Sequence, residues 1–359
     1  MTDRPSRGAP PPIVIASREA VEGRADNRVL VPLDAPPPAP PPDDRIRDLG
    51  GETMGTTWSA RVIAPPGVSD AALLAGVQAE LDRVVALYSP WTPDSEISRF
   101  NAAAPGPVVL SDDFWPLLDL ALELADDTNG AIDPTLGALV DLWGFGPPGP
   151  RDPSAPVPTD EEQAAALAVS GWMKLRLDRA NGVAVQPGGM KLDFSAIAKG
   201  HAVDRVSARL TSLGATSHLI EVGGELLGRG VKPDAQPWWV ELEQPPGAEG
   251  VRTVAAAYDL AVATSGDYRR YFGHNGRLFS HSIDGREGAP IQNGLASVTV
   301  LHPEAARADA LATALTVMGL DEGFAHARDT GVAARFMRHD RGMFAEVLSP
   351  ALLAMTDEG

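Results

Sequence analysis

Apolar residues recur at helical spacing early in the chain. Leu73, Val77, Leu81, Val84 and Tyr88 lie three or four apart, and Ser69 or Asp70 can cap the run. This predicts a helix through about Tyr88. The same periodicity predicts helices over Phe114 to Thr128 and Ile197 to Leu213. It predicts another over Glu304 to Met318, where Ala308, Leu311, Ala312 and Leu315 are apolar. Thr159 or Asp160 opens a shorter one, Glu161 to Val169. Ala131 to Trp143 mixes Pro, Gly and Leu and reads as a structured turn leading into a short helix.

Strand patterns lie between these. Thr53 to Val62 predicts an opening strand. Leu175 to Val185 alternates around Asn181-Gly182, a hairpin signal. His218 to Val222 predicts a strand ending at Gly223-Gly224. Short strands follow from Trp238 to Ile283 and from Ala296 to Leu301. Ala333 to Phe336 and Met343 to Leu348 predict a closing hairpin. Strands and helices do not alternate regularly enough for a doubly wound parallel sheet. The expected class is α+β, with mixed or antiparallel sheets and packed helices.

Composition changes this picture at the ends. Residues 1–47 are rich in proline and charge, including the run APPPAPPPDD. Such a segment buries too little apolar surface to offset its ordering entropy. A disordered or extended tail is expected, with a proline-rich ligand as the sharper reading. One domain is expected over 48–350, followed by a tail over 351–359. Residues 144–159 read as a loop.

The formal net charge of −18 argues against binding a nucleic-acid backbone, which requires a basic patch. The chain has no cysteine, which excludes disulfides, thiol nucleophiles and thiolate metal sites. No run is apolar for about 18 residues, so no membrane-spanning helix is expected. The first residues lack the apolar core of a secretory leader, and no cysteine is available for lipid attachment. As it stands the sequence reads as cytoplasmic, with a periplasmic location if a leader is missing.

Four segments carry candidate chemistry. In Gly51-Glu52-Thr53-Met54-Gly55-Thr56-Thr57-Trp58, small residues let backbone approach something flat or phosphorylated; a glycine-flanked strand start is the plainer reading. Trp91 precedes an Asp94-Ser95 helix start, so its ring can stack on a planar ligand or anchor a core. Gly130-Ala131-Ile132-Asp133-Pro134-Thr135 pairs with Asp193-Phe194-Ser195-Ala196-Ile197-Ala198-Lys199-Gly200. There a helix N-terminus and a lysine suit a phosphate, although Lys199 alone fits a surface charge as well. Finally, Ala263 to Tyr268 and His281-Ser282-Ile283-Asp284 precede Asp309 and Thr313. These two sit four apart on a predicted helix, so their oxygens share a face. They are hard donors of the kind Mg2+ takes, or simply a solvated face.

No single segment decides the function, but their order does. GETMGTTW, WTPDSEISRFN, GAIDPTLGALVDLWGFG, LDFSAIAKGHAVD, EVGGELLGRG, ATSGDYRRYF, HSIDGREGAP and ADALATAL together resemble the FAD:protein FMN transferase (ApbE) family over roughly residues 50–350. The resemblance implies an α+β enzyme that cleaves FAD with a divalent cation. It releases AMP and leaves FMN on a Thr or Ser of a target protein, typically a respiratory or electron-transfer subunit. That target is expected to carry a short Ser/Thr-Gly-Ala-Thr-like stretch.

Residue by residue, the resemblance places Met54, Trp91, Ala131, Ile132, Asp133, Asp193, Lys199 and Ile283 against FAD. It assigns the cation, Mg2+, to the Ala196 carbonyl, Asp309 and Thr313. His281 matches a histidine that assists catalysis, and His281 or Asp284 could serve as base. Gly285 stands where the family usually has Pro, which predicts a looser loop. Two other functions use the same groups: a metal-dependent FAD pyrophosphatase giving FMN and AMP, and a non-catalytic flavin-binding assembly accessory protein.

Overall fold

The structure, a computed structural model, describes residues 27–33, 39–152, 155–268 and 271–356. Its centre is an eight-stranded sheet in which every neighbouring pair is antiparallel. From one edge the strands run Met343–Leu348, Ala333–Asp340, Leu295–His302, Leu260–Gly266, Glu225–Arg229, Ser217–Val222, Thr56–Ile63 and Arg47–Thr53. The α+β expectation holds.

One face of this sheet carries helices. The Ala198–Ser212 helix lies on Ser217–Val222 and Glu225–Arg229, and the Ala305–Thr330 helix lies on Leu260–Gly266 and Leu295–His302. The Asp70–Tyr88 helix packs on Ala198–Ser212, burying the predicted stripe Leu73, Val77, Leu81, Val84 and Tyr88. Ser69 accepts from Ala72 N–H and fixes its start. The opposite face is covered by a small sheet in which Arg252–Ala257 pairs with Asn27–Leu30 and Trp238–Glu241. Strands Ser217–Val222 and Leu260–Gly266 are therefore buried along their whole length. Ile220 and Ala263 face the helices, while Leu219 and Val262 face the small sheet. Both strands therefore carry apolar residues toward both faces instead of alternating apolar with polar.

The structure differs from the sequence reading in several places. Asn27–Leu30 lies inside the expected tail, yet it forms a strand and Leu30 is buried. Its backbone pairs with Arg252–Ala257, and Leu30 packs with Trp238, Leu352 and Met355. Residues 1–26 and 34–38 of that segment lie outside the described residues. The expected C-terminal tail begins with a helix, Pro350–Ala354, capped by Ser349. Each short apolar stretch gains its order from partners distant in sequence, Asn27–Leu30 from Arg252–Ala257 and the C-terminal helix from Ala333–Asp340.

The turn at Asn181-Gly182 is not a two-residue type. Arg179–Asn181 forms a short 3-10 turn and only Gly182 is left-handed (φ 65°). Asp178 accepts from Asn181 N–H and sets this longer connection. The Glu304 to Met318 helix continues to Thr330, but with a break at Gly319 (φ 78°, ψ −178°). Asn293 Nδ2 donates to the Thr316 and Val317 carbonyls beside the break.

Candidate functional site

Met54 sits at the tip of the hairpin joining Arg47–Thr53 to Thr56–Ile63. Both tip residues are left-handed, Met54 at φ 48° and Gly55 at φ 71°, the signature of a tight two-residue turn. A non-glycine residue pays on the order of 1 kcal/mol or more for that conformation. The tip therefore holds Met54 in place against its intrinsic preference. At Gly223 a β-carbon would lie 2.9 Å from Thr56 Cγ2 and 3.3 Å from Lys199 Cδ. Glycine there brings the hairpin, the Gly223-Gly224 turn and Lys199 together.

Lys199 occupies the first turn of the Ala198–Ser212 helix. Its Nζ lies 2.5 Å from Glu225 Oε2, and the Glu225 side chain is 1 % exposed. Lys199 is thus aimed by a buried carboxylate. Glu225 was missed as a site residue, although it lies in the EVGGELLGRG motif.

The two segments paired in the sequence do run together. Asp193 N–H donates to the Pro134 carbonyl at 2.8 Å, and Gly137 N–H donates to the Lys191 carbonyl at 3.0 Å. A β-carbon on Gly137 would lie 2.8 Å from Lys191, so glycine permits the approach. Asn101 clamps Leu192 from both sides, its Nδ2 donating to the Leu192 carbonyl and its Oδ1 accepting from Leu192 N–H. That clamp sets the direction in which the chain enters Asp193. Asp193 Oδ1 then accepts from Ser195 N–H at 2.7 Å and turns the chain toward Ala196. Asn101 stands in the WTPDSEISRFN motif, but nothing about a lone asparagine signals a backbone clamp.

Ala131 and Ile132 are buried in the main core. Asp133 Oδ1 accepts from the Thr135 N–H and hydroxyl, and its Oδ2 accepts from Trp172 N–H. Burial pushes its carboxyl above the ordinary carboxylate range, opposed by the hydrogen bonds from Thr135 and Trp172 and by Lys174. Asp133 thereby holds the 131–135 turn against the 171–174 segment. Trp91 stands 52 % exposed at the turn before the Ser95-capped helix. Nearby Tyr88 has its ring against Phe194 and His201, which ties this turn to the 193–200 segment. Burial, reinforced by Arg205, lowers the His201 pKa to about 4, so that ring is neutral at pH 7.

Asp309 is 5 % exposed on the Ala305–Thr330 helix. Its Oδ2 accepts from Gly200 N–H at 3.0 Å, which places the carboxylate at the first turn of the neighbouring helix and within a few residues of Ala196. Thr313 follows one helical turn later and is half-buried. No group of three or more His, Cys, Asp or Glu gathers among the described residues. A carboxylate, a hydroxyl and a main-chain carbonyl remain. That hard, mostly uncharged set fits a cation that draws its other ligands from substrate oxygens and water.

The remaining predicted residues form a second body. Ile283 is buried with Leu136, Leu139, Trp143 and Phe279. Phe272 and Phe279 stack at 5.0 Å across the Tyr271–His274/Arg277–Ser280 hairpin, which leads directly to His281. The His281 ring lies edge-on to Phe145, with ring centroids 6.3 Å apart. Asp284 is held by Arg286, which donates to both carboxylate oxygens from Nε and also pairs with Glu322. The expected looseness at Gly285 is not found. A β-carbon there would lie 2.8 Å from Leu136 Cδ2, so the glycine lets this loop pack flush on Leu136. Arg286 was missed because an arginine after glycine carries no signal of which carboxylate it meets.

The ApbE family profile matches residues 54–336. An FAD:protein FMN transferase of Vibrio cholerae is 40 % identical over 283 residues, covering 77 % of this chain and 83 % of that protein. One of Haemophilus influenzae is 36 % identical over 325 residues, covering 88 % and 93 %. Among solved structures, the Pseudomonas stutzeri flavinyl transferase ApbE in its apo form superposes with a TM-score of 0.81 at 36 % identity, covering 88 % of this chain and 98 % of that one. The flavin transferase ApbE of Vibrio cholerae gives 0.78 at 35 % identity, covering 86 % and 99 %. With a family match spanning most of its length and relatives up to 40 % identical over most of both chains, the chain belongs to the ApbE family.

Proposed function

We propose that this protein transfers FMN from FAD to a Thr or Ser hydroxyl of an acceptor protein, releasing AMP. One observation carries the reading beyond the family match: a buried Asp309 carboxylate lies at the first turn of the helix that bears Lys199. A pyrophosphate needs positive charge and hard-cation donors side by side, and here both sit on two touching helices.

The Ala196 carbonyl, Asp309 and Thr313 would hold Mg2+, which when bound would supply charge stabilisation for the departing phosphate. Lys199, steadied by Glu225, meets a phosphate oxygen. Met54, Trp91, Ala131, Ile132, Asp133, Asp193 and Ile283 bind and orient FAD. The acceptor oxygen attacks the FMN-side phosphorus, a new P–O bond forms, and the bond to AMP breaks. The acceptor proton passes to a base. Asp284 is neutralised by Arg286, which donates to both its oxygens, and His281 stands where the family resemblance puts a catalytic histidine, so His281 is the candidate. The acceptor is an electron-transfer or respiratory subunit.

The test is an intact mass of a candidate acceptor after incubation with the protein, FAD and Mg2+. A gain of FMN minus water, abolished by EDTA and by Asp309→Ala, is expected. Accumulation of FMN and AMP with no gain on any acceptor would instead mean a pyrophosphatase. FAD bound with neither product would mean an accessory flavin carrier.

A further inference from the structure

Neither helix at the site caps its own N-terminus. Ile197 and Glu304 stand at the two N-cap positions, and neither makes a side-chain cap bond. Each helix is capped by an aspartate from the other. Asp309 Oδ2 accepts from Gly200 N–H at 3.0 Å. Asp204 Oδ1 accepts from Ala305 N–H and its Oδ2 from Ala306 N–H, both at 2.9 Å. The arrangement is reciprocal: on each helix the acceptor follows the donor by one turn, Gly200 to Asp204 and Ala305 to Asp309. The helices touch where the donors lie, since a β-carbon on Gly200 would sit 2.2 Å from the Ala305 carbonyl oxygen.

Only one of the two carboxylates belongs to the assigned cation set. We infer that the other, Asp204, is a positioning residue for that set. It fixes the start of the Ala305–Thr330 helix, and Asp309 and Thr313 follow on the next two turns. Ala196 precedes the partner helix, so the three donors come from two separate bodies. Their mutual placement depends on what locks one helix to the other. Ala305 and Ala306 are buried, so without Asp204 their N–H groups lose their partner away from water. The helix start then shifts to recover hydrogen bonds and carries both donors with it. Supporting shells of this kind typically weaken metal affinity by roughly 10- to 100-fold when removed.

This inference rests on the cation assignment, and the experiment separates the two. Mn2+ is titrated into the full chain saturated with FAD, without acceptor, and bound Mn2+ is read by electron paramagnetic resonance. The temperature is held well below the melting point of each variant, and melting in EDTA is recorded alongside. Asp204→Ala is expected to weaken Mn2+ binding about 10- to 100-fold. Asp204→Asn, which keeps one acceptor oxygen, recovers part of the loss and decides the matter if the alanine variant does not fold. Leu352→Ala, a core change on the opposite side of the central sheet, lowers the melting point with Mn2+ affinity unchanged. If both Asp204 variants bind Mn2+ like the parent while Asp309→Ala loses it, the positioning role is wrong and the cation site stands. If Asp309→Ala binds Mn2+ like the parent, the cation assignment falls and the inference falls with it.

Discussion

The region around Lys199, Gly200 and Asp309 and the region around His281, Ile283 and Asp284 are built differently. In the first, side chains are placed by backbone: helix starts, glycine contacts and carboxylates accepting from main-chain N–H groups. In the second, they are placed by side chains: stacked aromatic rings and an arginine bridging Asp284 and Glu322. Backbone placement tolerates little change, because moving one group moves a helix. Side-chain placement can lose one member and keep the rest. The first suits a group whose geometry must be exact to tenths of an ångström.

The largest expected effect tests the second region. His281→Ala should lower kcat roughly 10²- to 10⁴-fold if His281 takes the acceptor proton. Its melting point should barely change, because the ring lies at an aromatic edge rather than in the main core. A large loss of stability with proportionate loss of activity would make His281 a packing residue and erase the contrast.

Gly200→Ala addresses the first region. The added methyl meets backbone of the adjacent helix, which no rotamer change can relieve. A cost of about 3 kcal/mol is expected, read as a lower urea midpoint with unchanged slope. A near-neutral result would show that the helix junction yields more readily than its contacts imply.

A pH series comes next. His218 is fully buried, bonded to Ser207 and the Ala215 carbonyl, and burial lowers its pKa to about 4 from an ordinary 6.5. Below 6.5 the unfolded chain binds a proton that the folded chain refuses. Its contribution is therefore complete above that pH and is lost as pH falls toward 4, on the order of 3 kcal/mol. His201 adds a change of the same sign. Urea melts at pH 7.5 and 5 should show this loss, and His218→Gln should flatten it. Both histidines lie on the helix-bearing side of the chain, so acid should weaken the first region before the second.

The smallest effect is expected from Arg286→Met, which leaves Asp284 without its guanidinium. A loss of about 1–2 kcal/mol is expected, with KM rising more than kcat falls. Steady-state kinetics would show this. An equal fall in kcat alone would place Asp284 in the chemistry.

The sequence made the helices legible because their apolar stripes are long and their caps are local. Ser69, Ser95 and Thr159 cap as their positions suggest. The hairpin before Thr56 was half-legible: Met54-Gly55 lacks the asparagine or aspartate that usually marks such a turn, so one strand was expected where two exist. Site segments were legible as motifs, and the structure joins 131–137 to 191–197 as their pairing suggested. What stayed hidden were the partners. Glu225 for Lys199, Asn101 for Leu192 and Glu322 for Arg286 are contacts distant in sequence, and no local pattern announces them.

The two ends of the described chain meet. Leu30 bridges to Thr356, and Val31 N–H donates to the Met355 carbonyl at 2.9 Å, on the side of the central sheet away from the helices. The described part of the chain thus nearly closes on itself between residues 30 and 356. A short linker joining these ends, with a new opening cut in the surface stretch after Trp143, would yield a circular permutant with every sheet pairing intact. A domain joined directly to residue 27 or to residue 356 would emerge on that side of the sheet, away from the helix-bearing face.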